Sequence, residues 1–228
     1  PGRHAGDGGR NPGRGLPGAG EAALTLEPLR VSSHALAQDP LRPDEPWTRS
    51  VSGEGQWGAV LIPLWREGGG VFTLLTVRSA SLRRHPGQIA FPGGSRDPED
   101  RTPGQTAFRE AQEEVGLLPA EWRPLGLWGQ ERTFTSRFRV VPVLAEAASP
   151  RAWERFSPDG SEVVSLVSLA VPPLKAGFSW ETIPGRETSY VGPTHRLACG
   201  KRVWGLTGRL LWRLSRLCSG EGVPVPWL

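Results

Sequence analysis

Glu110, Glu113 and Glu114 lie within Arg109-Glu110-Ala111-Gln112-Glu113-Glu114-Val115-Gly116-Leu117. The spacing predicts a helix over 104–115 that sets all three carboxylates at i, i+3 and i+4, on one face. A face of like charges repels itself. Hard divalent ions such as Mg²⁺ or Mn²⁺ take oxygen ligands and relieve that repulsion, so a metal is the natural counter-charge. An isolated acidic helix face is more often simply solvated, which makes the flanking residues decisive. Arg109 stands one turn before Glu113 and can orient it. Ala107, Phe108, Ala111 and Val115 fall on a different side of the same helix as an apolar stripe for packing against a sheet. Gly116 is the expected stop signal.

The elements that must position this helix read from apolar patterning. Residues 57–65 and 71–78 are apolar runs of strand length around a glycine-rich turn, hence a hairpin in a buried sheet. A polar loop over 79–86 carries Arg83, Arg84 and His85. A short strand over 88–91 then delivers Gly93-Gly94, where the missing side chains let a backbone carbonyl approach a metal or a phosphate. Further strands are expected over 122–128, 138–144 and 163–169. An amphipathic helix over 202–217 gathers Val203, Leu206, Leu210, Leu214 and Leu217 on one side and Arg209, Arg213 and Arg216 on another. Packing over the sheet is its expected role, ahead of lying on an anionic membrane.

Two patterns in this region resemble known signatures. The run from Arg109 to Leu117 resembles the second half of the Nudix box of the Nudix hydrolases. The first half departs from it: Arg101 occupies the usual glutamate position, with Asp100 one residue earlier as a candidate substitute. Leu74-Leu75-Thr76-Val77-Arg78-Ser79, Arg83, Gly87 and Phe91-Pro92-Gly93-Gly94 resemble the signature of the coenzyme A pyrophosphatase branch, and Val203-Trp204-Gly205-Leu206-Thr207 is similar to a later segment of that branch. The resemblance implies an α/β fold, a Nudix-type α/β/α sandwich with a mixed β-sheet between helices. It also implies Mg²⁺- or Mn²⁺-dependent hydrolysis of the diphosphate bond of coenzyme A or acyl-coenzyme A, giving (acyl-)4'-phosphopantetheine and adenosine 3',5'-bisphosphate.

By the same resemblance Glu110 and Glu114 are the main metal ligands. Glu113 is a ligand or the group that positions water, the Gly94 carbonyl is a further contact, and Arg109 is an orienting residue. The general base is open between Glu113 and Glu162, the latter just before a strand, where it could equally be an ordinary surface carboxylate. Arg78, Arg83, Arg84 and His85 are the expected substrate-binding residues, because guanidinium forks recognise phosphate. Trp128, Phe134 and Phe138 are candidates to stack on adenine, with core packing as the ordinary alternative. Two other functions stand against this reading. One is a pyrophosphatase acting on ADP-ribose, a dinucleotide or a nucleoside triphosphate. The other is a nucleotide- or RNA-binding module without turnover, which intact Glu110, Glu113 and Glu114 oppose.

Composition bounds the rest. The 228 residues, 37% of them hydrophobic, suffice for one domain with a complete core. The net charge of +4 comes almost wholly from arginine, lysine occurring at Lys175 and Lys201 alone. It suits a phosphate-rich small molecule first and nucleic acid second. Cys199 and Cys218 form no C-x-x-C pair, which fits a reducing interior, with the cytoplasm as the default expectation. No apolar run has the length of a membrane span, and a homodimer is left open. The expected organisation is a disordered Arg/Gly/Pro-rich leader and linker over 1–45, with a short helix over 21–30, then the folded domain over 46–222 and a tail over 223–228.

Overall fold

The computed structural model describes residues 56–133, 138–171, 174, 177–185 and 188–219. The leader, its short helix, the tail and Phe134 lie outside the described residues. The larger sheet holds β1 (Trp57–Glu67), β2 (Gly70–Arg78), β3 (Ile89–Ala90), β4 (Gly93–Ser95), β5 (Trp122–Leu127), β6 (Glu131–Arg132), β7 (Arg139–Ala147) and β8 (Val163–Ala170). β1 and β7 run parallel while the other pairs are antiparallel, so the sheet is mixed.

The β1–β2 hairpin forms as its patterning predicts, but it opens beyond Leu64 and Thr73. Residues 89–95 fill the gap. Ile89 and Ala90 pair with Val77 and Thr76 of β2, whereas Gly93, Gly94 and Ser95 pair with Val60, Ala59 and Gly58 of β1. The Leu61 N–H to Pro92 carbonyl bond, 2.8 Å, closes the wedge between them. The expectation of one strand over 88–91 ending in a glycine turn is therefore corrected. The diglycine is itself a short strand, and its backbone is held by the sheet rather than by a loop.

Helix α1 (Pro103–Val115) lies on one face. Ala107, Ala111 and Val115 pack there against Ala59, Leu61, Leu74, Val141 and Val143, which makes Ala107, Ala111, Val115 and the partly buried Phe108 the expected apolar stripe. Helix α2 (Gly205–Cys218) covers the opposite face, with Leu210, Leu211, Leu214 and Leu217 against Ile62, Leu64, Leu75, Val77 and Leu144. Alternate residues of β1 thus serve opposite cores, as a pleated strand buried on both sides requires. The architecture is the α/β/α sandwich.

Three further features depart from the sequence reading. Arg202–Val203 is a strand, β11, and α2 starts only at Gly205. β11 joins β9 (Phe178–Pro184) and β10 (Ser189–Arg196) in a second, three-stranded sheet that sequence patterning does not announce. Arg209 and Arg213 are not a solvated basic face. Arg209 is 1% exposed, and both arginines pair with Glu131, at 3.3 and 2.6 Å.

Candidate active site

The acidic face of α1 is fixed at both ends by its caps. Thr102 accepts from the Gln105 N–H at 3.1 Å and the Gln105 side chain returns to the Thr102 N–H at 3.2 Å, a capping box with Pro103 in the first turn. At the other end Gly116 adopts φ +68°, the left-handed cap conformation. The last carbonyls are then taken by a following segment: Ser157 N–H donates to Val115 and Asp159 N–H to Glu114. That segment leads to Glu162. The Asp159 carboxylate holds it by accepting from the N–H groups of Ser161, Glu162 and Val163 at 3.2, 3.0 and 2.7 Å, and from the Ser161 hydroxyl. What burial Asp159 has works against its charge, but these donors prevail and hold the carboxyl down at about 2. Glu162 is consequently anchored to the same helix end as Glu114.

Glu114 is 6% exposed and accepts the Gly93 N–H at 3.0 Å. Burial pushes its carboxyl up to about 7, against the Gly93 bond and the charge of Arg78. Glu110 is also raised by burial, against Arg109. Its carboxylate lies directly over Gly94, so that a Cβ there would come within 2.4 Å of a Glu110 oxygen. Only glycine admits the acid to this position. The helix acids and the diglycine strand thus lie directly against one another.

Two arginines serve the carboxylates. Arg109 contacts Asp100, Glu110 and Glu113 at 3.0, 3.0 and 3.2 Å and donates to the Ser95 carbonyl at 3.1 Å. Its hydrogen bond to Asp100 is the largest of the effects that hold its proton more tightly. Arg78 bridges Glu114 and Glu162 at 3.4 Å each. Glu113 points outward, its side chain 59% exposed.

Asp100 has a definite place. It is buried, and it accepts from Arg109, from the Thr106 hydroxyl at 2.8 Å and from the Asp97 N–H at 3.0 Å. Burial raises its carboxyl, but the Arg109, Asp97 and Thr106 bonds and the Arg109 charge outweigh that and lower it. Asp100 therefore supports Arg109 from behind. Arg83, Arg84 and His85 stand exposed on the loop after β2, where His85 meets Gln88 at 3.0 Å. Among the described residues no contact joins them to the carboxylates. Trp128 is a core residue with the Arg213 guanidinium 4.7 Å from its ring, which places it with α2. Phe138 lies beside Gly58, at the β1 end that pairs with β4.

Among the described residues no three His, Cys, Asp or Glu side chains stand as a ready-made cage. The donor set nevertheless fits a hard divalent ion. It consists of oxygens, two of its carboxyls are pushed up by burial, and five carboxylates, counting Asp100 and Glu162, face two guanidiniums.

The NUDIX domain model matches residues 55–181, and the chain belongs to the Nudix family of hydrolases. The Nudix hydrolase NudL of Pectobacterium atrosepticum is 38% identical over 146 residues, 62% of this chain and 72% of that one. The mitochondrial coenzyme A diphosphatase NUDT8 of Mus musculus is 36% identical over 157 residues, 65% of this chain and 71% of that one. The mouse peroxisomal coenzyme A diphosphatase NUDT7 is 45% identical over 93 residues, but these span only 41% of this chain and 39% of that protein. Among the described residues no helix is long and apolar enough to cross a membrane.

Proposed function

We propose that the protein hydrolyses the diphosphate bond of coenzyme A or an acyl-coenzyme A with the help of Mg²⁺ or Mn²⁺, releasing adenosine 3',5'-bisphosphate and (acyl-)4'-phosphopantetheine. One observation carries the reading: Arg78, from the segment resembling the coenzyme A signature, reaches Glu114 of the acidic helix at 3.4 Å, so both signatures meet in one site. The names of the two mouse relatives support the same substrate class. A bound divalent ion supplies neutralisation of the diphosphate charge and a more acidic water. Glu110 and Glu114 would hold it, with Arg109 fixing the helix acids in place; the Gly94 carbonyl, proposed as a further contact, lies against Gly58 of β1.

Glu113 and Glu162 remain the two candidates to accept the proton of the attacking water. Both are solvent-accessible carboxylates at the rim, with side-chain exposures of 59% and 56%. Arg83, Arg84 and His85, on the loop that follows Arg78, are proposed to meet the phosphates of the substrate rather than the metal. The test is direct. Purified protein is incubated with Mn²⁺ or Mg²⁺ and coenzyme A, ADP-ribose or NADH side by side. Adenosine 3',5'-bisphosphate from coenzyme A, stopped by a chelator, is the expected result. Turnover of ADP-ribose or NADH alone would move the protein to another substrate class, and no turnover of any of the three would reject catalysis on these compounds.

A further inference from the structure

Arg78 and Arg109 both neutralise site carboxylates, yet they are held very differently. Arg109 makes four contacts between 3.0 and 3.2 Å, one of them to the buried Asp100. It is a fixed post. Arg78 spans Glu114 and Glu162 with one nitrogen each, both at 3.4 Å, longer than any of those four Arg109 contacts. Its Nε is buried without a hydrogen-bond partner. The seat is charged but incomplete.

The backbone shows how Arg78 comes to sit there. Between Val77 and Arg78 the β2–β8 ladder slips: Val77 faces Ser165, whereas Arg78 faces Val163, so β8 advances two residues while β2 advances one. This bulge draws Glu162 one residue nearer to Arg78 than a regular ladder would, and the Ser79 N–H to Glu162 carbonyl bond, 2.7 Å, fixes the result. A guanidinium is thereby delivered to Glu114, a buried carboxylate that cannot stand unpaired without cost.

We propose that Arg78 is an internal counter-ion: it holds Glu114 and Glu162 in the ion-free protein, yields them to a divalent cation, and is then free to meet the substrate's diphosphate. The inference rests on the reading that this site takes a divalent ion, and adds to it an exchange of one cation for another. Arg109 stays in place throughout because its partners are more numerous and closer. The exchange also keeps the site near charge balance at each stage, since the guanidinium that leaves the carboxylates moves to the anion that arrives with the metal.

The experiment is a Mn²⁺ titration of the substrate-free protein, following the free-ion signal by electron paramagnetic resonance, for the wild type, Arg78→Gln and Arg78→Lys. Removing a competing positive charge should tighten Mn²⁺ binding about tenfold in Arg78→Gln. Arg78→Lys, which keeps a charge but cannot span both carboxylates, should fall between it and the wild type. In chelator the Gln variant should melt below the wild type, and saturating Mn²⁺ should bring the two together. If the wild type binds Mn²⁺ and neither variant binds it more tightly, the exchange is overturned while the divalent-ion reading stands. If no form binds Mn²⁺, both fall. Binding by the Gln variant alone would support the exchange in its strongest form. Circular dichroism of each variant establishes that it is folded, and the Lys variant carries the same comparison should the Gln variant not fold.

Discussion

At the scale of single residues, the site separates acids that face a cation from acids that support an arginine. Glu114 is buried, accepts one backbone N–H and faces Arg78, so its replacement removes an anionic oxygen where a divalent ion would need one. Glu114→Gln is expected to lower turnover of coenzyme A by about a hundredfold or more, with the fold retained. Asp100 touches the other site acids only by way of Arg109, and Asp100→Asn should cost about tenfold, within the range seen when the partner of a ligand is lost. Steady-state kinetics on both variants decides the matter, and equal, mild losses would show that the acids are wrongly assigned. Gly94→Ala makes a sharper test of geometry. Its Cβ would meet the Glu110 carboxylate within 2.4 Å, and the acid must move away. Mn²⁺ binding should weaken severalfold while the melting temperature changes little, because the displaced group is a side-chain end and not the core.

At the scale of elements, α2 is held to the sheet by more than its leucines. Glu131 of β6 is the shared partner of Arg209 and Arg213, and its side chain is only 11% exposed. Burial lowers the proton affinity of Arg213, and the charge of Glu131 opposes that only in part. Glu131→Gln removes the anion that these two largely buried guanidiniums share, so urea unfolding should show a loss of about 3 kcal/mol. A loss under 1 kcal/mol would mean that water or another acid reaches the pair. This interaction also marks where the sequence stops being legible. The acidic face of α1, its apolar stripe and its glycine stop follow from helical spacing and local conformation. The burial of Arg209 does not, because its partner lies 78 residues away in sequence, on a strand of two residues. The diglycine strand was hidden for a related reason: Gly93 and Gly94 carry no side-chain pattern, and only the opening of the β1–β2 hairpin gives them strand partners. Phe178–Pro184 and Ser189–Arg196 are not legible as strands because Pro184 and Pro193 and their mixed polar residues obscure the period-two alternation. Asp100 could be singled out beforehand as a displaced box acid, but its role behind Arg109 needed three dimensions.

At the scale of the whole molecule, the site depends on both faces of the sheet being covered. β4, which carries Gly94, pairs with β1, β1 pairs with β7, and β7 pairs with β6, which carries Glu131. The acid helix and α2 are therefore tied through one continuous ladder, and a chain in which α2 is not seated should lose order at the diglycine too. The two cysteines report on this seating without disturbing it. Cys199 is exposed in the turn between β10 and β11. Cys218, at the end of α2, packs against the leucine cluster, and burial pushes its thiol up to about 11 against the nearby charge of Arg66. Because the thiolate is the reactive form, iodoacetamide at about pH 8 should modify Cys199 while Cys218 remains unreacted, and both should react in urea. Mass spectrometry of the labelled peptides gives the answer. If Cys218 were alkylated as fast as Cys199 in the native protein, the last turn of α2 would be open, and the packing that ties it through β6, β7 and β1 to the diglycine would have to be redrawn. If Glu131→Gln alone exposes Cys218, the buried ion pairs and not the leucines set the position of the helix.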